Sequence, residues 1–165
     1  MASPRIRRPF KIALALVAIV MITVAACVAS VVVHTNNNTH KAKDTARAQL
    51  DELHADDLGH VVGTGAFGTT GLGDPPTAFV AVEIRNPSTV VLAEVGSRLE
   101  TNGYTLRFKC NPSTGCTWEK RHGGHLISAR AFVYDAGQTW GRKSTDHGVV
   151  SPSARVLEID IIVGG

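Results

Sequence analysis

Residues 104–121 read YTLRFKCNPSTGCTWEKR, and the reading of this stretch decides the fold. Pairing 104–110 with 116–121 as a hairpin, with Cys110 opposite Cys116, sets Phe108 against Trp118, Leu106 against Lys120, Arg107 against Glu119 and Lys109 against Thr117. One face then carries Tyr104, Leu106, Phe108, both cysteines and Trp118. The other carries Thr105, Arg107, Lys109, Thr117 and Glu119. A half-buried antiparallel sheet needs that separation, and a slip in register would exchange the two faces. Asn111-Pro112-Ser113-Thr114-Gly115 supplies the turn between them. Opposed residues of an antiparallel pair lie within the Cα range of a disulfide, so the spacing predicts a Cys110–Cys116 bridge worth about 2 kcal/mol for so short a loop. A metal or redox pair is the competing reading of this spacing. Zinc would need further ligands, and redox pairs keep their cysteines closer together.

Working toward the C-terminus, Gly123-Gly124 predicts a tight turn that pairs His122 with His125 and Trp118 with Ala129. Ile127, Ala129, Ala131 and Val133 then join the core face. Residues 155–163 alternate Leu157, Ile159, Ile161 and Val163 against Glu158 and Asp160, with Arg130 expected near the two acids. Between these strands, 135–154 reads as a long polar surface loop holding Trp140.

Working toward the N-terminus, 78–84 alternates as a strand, with Val80, Val82 and Ile84 on one face. Asn86 reads as an N-cap with Pro87 at the first helical position. Val91, Leu92, Val95 and Leu99 form the apolar side of that helix, and Gly103 closes it in the left-handed conformation. A β-α-β unit results, its crossover right-handed if the strands are parallel neighbours. Gly63, Gly65 and Gly68 spell G-x-G-x-x-G, which cradles pyrophosphate only between a strand and a helix N-terminus. Gly71, Gly73, Pro75 and Pro76 follow, so 63–76 reads as a flexible loop and no cofactor is expected. Residues 42–58 carry Ala46, Leu50 and Leu53 at helical spacing. The sum is an α+β protein: a two-layer sandwich of two helices on one face of a mostly antiparallel sheet of about five strands, spanning 42–165.

Ahead of it, residues 12–33 read IALALVAIVMITVAACVASVVV, 22 residues without charge, Pro or Gly. As a helix they span about 33 Å, enough to cross a hydrocarbon core of roughly 30 Å. Residues 1–11 carry Arg5, Arg7, Arg8 and Lys11 and no acid, a charge of +4. The positive-inside bias then predicts a single-pass membrane protein: a cytoplasmic basic tail over 1–11, an anchor held in the lipid bilayer over 12–33, a polar linker over 34–41 and an extracytoplasmic domain. The rival is lipidation. Val24-Ala25-Ala26-Cys27 resembles the lipobox of bacterial lipoproteins, which implies processing before Cys27 and a lipid on that thiol. The departure is the apolar Val28-Ala29-Ser30-Val31-Val32-Val33 that follows, where a polar tether is usual. Asn37-Asn38-Thr39 matches an N-glycosylation acceptor, but the Arg-, Ala- and Gly-rich composition points to bacteria and a solvated linker.

Residues 34–165 hold 13 Lys and Arg against all 14 Asp and Glu, a balance of −1, and no basic stripe that would bind nucleic acid. No nucleophile elbow, zinc-protease helix or P-loop is present, and no catalytic residue is named. His122 and His125 bracket a turn, with His147 more distant; these are expected as exposed histidines rather than a metal site. Asp135, Asp146 and His147 are the only acid–base candidates. The expectation is a non-enzymatic binding or interaction module of the bacterial cell envelope that meets an envelope protein through Trp140 and Phe132. The alternative is an envelope enzyme using 135–154.

Overall fold

The computed structural model describes residues 7–70, 73–111, 115–141 and 147–164. Arg5, Gly71, the middle of the expected 111–115 turn and Asp146 lie outside the described residues. The chain divides into two compact units, Met1–Asn37 and Asn38–Gly165.

The first helix, α1, runs Arg7–Asp51, so 34–41, expected as a linker, is helical. Among the described residues it is the one helix long and apolar enough to cross a membrane. The apolar side chains of its 16–33 stretch are exposed, Met21 and Ile22 at 66% and 69%. Thr23, within the apolar run, donates its hydroxyl to the Ile19 carbonyl, so that group presents no open donor there. Further along, Thr39 is buried and its hydroxyl is bonded to Thr70 in the loop after the first strand. Tertiary contact of this kind overrides the poor propensity of an Asn-rich stretch. The second half of the 42–58 expectation is also modified. The helix stops at Asp51, His54 takes a left-handed φ of 46°, and a 3-10 turn covers Ala55–Leu58. Arg98 donates to the Leu53 and His54 carbonyls at 2.8 and 2.6 Å, holding the turn between the helix and the 3-10 segment.

Strands β1 (His60–Phe67), β2 (Thr77–Ile84), β3 (Thr105–Asn111), β4 (Gly115–His122), β5 (His125–Tyr134) and β8 (Arg155–Val163) form one sheet in the order β1-β2-β8-β5-β4-β3. Every neighbouring pair is antiparallel. A two-strand ribbon, β6 (Thr139–Trp140) with β7 (Gly148–Val149), stands apart from it. The fold is α+β, with six strands where about five were expected. The added strand is β1, which takes up Gly63 and Gly65 from the stretch read as a flexible loop. Helix α2 (Ser88–Thr101) leads from β2 to β3, which are parallel but separated by three strands rather than adjacent. Pro87, not Asn86, is its N-cap residue: ψ of 141° keeps Pro87 extended, and no side chain caps the first turn. At the other end Gly103 has φ of 81° and Tyr104 N–H reaches the Leu99 carbonyl at 3.0 Å. That is a Schellman closure, and it sets Tyr104 into the core.

The Gly123-Gly124 turn pairs His122 with His125 and Trp118 with Ala129, as the sequence predicts. The 104–121 hairpin differs. Leu106 faces Trp118, Thr105 faces Glu119 and Phe108 faces Thr117, with irregularities on either side of Phe108. The expected partners of Phe108, Leu106, Arg107 and Lys109 are therefore all displaced. Bulges place extra residues in β3, and each one re-aims the side chains that follow. Phe108 leaves the core face and stands 63% exposed.

The helix-facing core gathers Leu50, Leu53, Val91, Val95 and Leu99 over Val80, Val82, Trp118, Ile127, Leu157, Ile159 and Ile161. Tyr104 Oη is buried there without a hydrogen-bond partner, and the Lys120 ammonium lies 4.3 Å from the centre of its ring. Burial pushes the Tyr104 phenol above its usual value of 10.0, and the Glu52 carboxylate pushes it further. A raised folded-state value contributes stability in full below pH 10 that is lost as pH climbs through the folded value. Tyr104→Phe should therefore leave neutral-pH stability unchanged or slightly raised, and should flatten the decline in urea midpoint above pH 10. Equal alkaline slopes for the two proteins would refute this.

Candidate functional site

The side of the sheet away from the helices is covered over half its width. Phe79, Ala81 and Val156 on β2 and β8 pack with Trp140 and Val150 of the 135–154 segment, and Phe67, Tyr134 and Ala154 border them. A Cβ on Gly63 would stand 2.5 Å from the Trp140 ring, so the indole rests where β1 has no side chain. The G-x-G-x-x-G glycines thus serve an aromatic ring and a turn, and a strand follows them rather than a helix.

Beneath this cover lie two acids of the central strand, Glu158 and Asp160, 2% and 1% exposed. Glu158 Oε2 accepts the Gly141 backbone N–H at 2.8 Å. A charge-assisted bond of this kind ties the arm to the sheet just after Trp140. Asp160 is opposite Arg130 on one side and Phe79 on the other, which is where the sequence places Arg130.

The other half of this face, over β5, β4 and β3, has no such cover among the described residues. Across it run half-buried Phe132, Arg130 and Thr117, and then exposed Phe108. Residues 105–110 of β3 are all exposed, Leu106 at 41% among them, and no described strand pairs with the outer edge of β3. Arg107 stands 5.9 Å from the Phe108 ring centre and 3.9 Å from Glu119, and Lys109 follows. Phe108 lies between these two cations, while Leu106 is opposite Trp118 and so shares its face; both apolar side chains are exposed on the open edge.

The residues singled out from sequence fall as follows. Cys110 and Cys116 are bonded, with Cα atoms 4.1 Å apart; Cys116 is buried in the core and Cys110 is exposed. Cys27 is a free, exposed thiol in the first unit. Trp140, expected as an exposed anchor, is 7% exposed and structural, because the arm folds back on the sheet instead of looping into solvent. Phe132 is half-buried beside Tyr134. His122 and His125 are both exposed, and no three His, Cys, Asp or Glu side chains converge among the described residues. Asp135 is held by Arg155 at 3.1 Å. His147 is exposed just before β7. A cleft of about 660 Å³ includes Lys41, Thr45, Thr70 and His125 in its lining. The Thr45 hydroxyl there is spent on the Lys41 carbonyl and the Thr70 N–H on Thr39. Sequence reasoning missed Phe108 because strict alternation assigns it to the core, and only the bulges turn it out.

No protein-family model matches the chain, and no curated protein or solved structure shows significant similarity to it.

Removing the Glu158 carboxylate leaves the Gly141 N–H unpaired under the arm. Glu158→Ala is expected to cost about 1.5–3 kcal/mol, and limited proteolysis should cut within 135–141 well before the rest of the domain. Unchanged protection of that segment would show that the carboxylate does not hold it.

Proposed function

We propose that this chain is a single-pass membrane protein of the bacterial cell envelope, N-terminus in the cytoplasm, whose 38–165 unit works outside as an interaction module. The observation that supports the reading is the open β3 edge, where Leu106 is exposed and Phe108 stands in solvent between Arg107 and Lys109. A folded domain leaves a large aromatic side chain on a free strand edge at the risk of unwanted pairing, and a binding role accounts for its retention. The anchor reading is supported by the exposed apolar length of α1, by its back-bonded Thr23 and by the +4 charge ahead of it. The Cys110–Cys116 bridge suits an oxidising compartment.

The mature protein should begin at Met1 or Ala2 by mass spectrometry, and protease added to intact cells should degrade the C-terminal unit. A mature start at Cys27 would replace the helix by a lipid anchor, and full protection from protease would overturn the topology. A photoreactive side chain at Leu106 in native membranes should give a discrete adduct of higher mass. A clean monomer would remove the interaction role.

A further inference from the structure

We infer that the partner of the β3 edge is the β1 edge of a second copy of this chain, so that the sheet continues from one molecule into the next. The inference rests on the interaction-module reading and names its partner.

The first ground is strand direction. Five antiparallel junctions separate β1 from β3, so the two edge strands run in opposite directions. A copy placed alongside by translation brings its β1 antiparallel to β3, and neither molecule has to be inverted. The ladder of backbone hydrogen bonds then continues in the geometry used throughout the sheet.

The second ground is a row of side-chain positions that crosses the whole face. Phe108 is opposite Thr117, Thr117 opposite Arg130, Arg130 opposite Asp160, Asp160 opposite Phe79, and Phe79 opposite Gly65. Residues directly opposed across an antiparallel pair share a face. The row therefore ends in an exposed aromatic on β3 and in a residue with no side chain on β1. When sheets join edge to edge, Phe108 of one copy comes beside Gly65 of the next. An aromatic across from a strand glycine covers backbone that the glycine leaves bare. Gly63 on the same strand already receives Trp140 in this way within one molecule.

The third ground is charge. β3 carries Arg107 and Lys109, so two β3 edges brought together would set cations against cations. β1 carries no Lys, Arg, Asp or Glu. The β3-to-β1 contact brings no like charges together. It is also heterologous, and such a contact does not close on itself in a pair. It builds runs of molecules rather than dimers alone.

The test uses the full chain in its own membrane, with p-benzoylphenylalanine in place of Phe108. Ultraviolet light is expected to give a ladder of dimer, trimer and higher species, with the adduct mapping to residues 60–67 of another copy. The same probe at exposed Thr64 should map back to 105–110. Gly65→Leu fills the receiving position and should remove at least nine-tenths of the ladder. Because that variant can also disturb folding, the mapped adducts decide the matter on the otherwise unaltered chain. Adducts joining 105–110 to 105–110, or stopping at dimers, would replace the inference by symmetric pairing. Adducts to a different protein would overturn it while leaving the interaction module standing. Monomer alone at Phe108, Thr64 and Leu106 would overturn both.

Discussion

The last strand of the chain is the centre of the sheet, and both of its faces are buried. β8 lies between β2 and β5, and its odd residues Leu157, Ile159, Ile161 and Val163 enter the helix-facing core. Its even residues include two carboxylates, buried on the face away from the helices, where lost water has to be replaced by protein donors. That demand accounts for the arm: Trp140 and Val150 supply apolar cover while Gly141 supplies a backbone donor to Glu158. Buried carboxylates are tolerated when donors meet them, and are costly otherwise. The exposed half of the same face begins where the arm's apolar residues end, so the position of the candidate binding edge follows from how β8 is covered.

The edges are the complementary problem. Helix packing and the arm concentrate on the middle strands, leaving β1 and β3 with one ladder each. β3 is pinned at its far end by the disulfide and at its near end by the Schellman closure that buries Tyr104. Between those fixed points the strand carries more residues than its partner can match. The surplus is taken up as bulges, and Phe108 is the side chain they turn outward.

Much of this was legible in the residues. The β2 alternation, the α2 stripe, the Gly123-Gly124 register and the two-faced 155–163 strand are plain in the sequence because each is local and strictly periodic. The readings that failed share a different cause. β1 contains Gly63 and Gly65, poor strand formers in isolation, and it forms by pairing with the apolar β2. Residues 34–41 are helical although Asn-rich, in a segment where Thr39 is bound to Thr70, a contact between positions 31 residues apart. Trp140 looked like a solvent-exposed anchor because no pattern in the sequence announces that Gly63 and Gly148 leave room for its ring. Alternation also has no way to register a bulge, and the candidate edge depends on one.

Placing the C-terminal strand in the middle of the sheet has a consequence for biosynthesis. A ribosome delivers β1, β2 and the β3-β4-β5 meander before β8, the strand that joins them. The helix-facing core lacks Leu157, Ile159 and Ile161 until β8 has been made, so the sheet cannot be completed before then. A truncation of even the final nine-residue strand would leave two half-sheets rather than a slightly smaller domain.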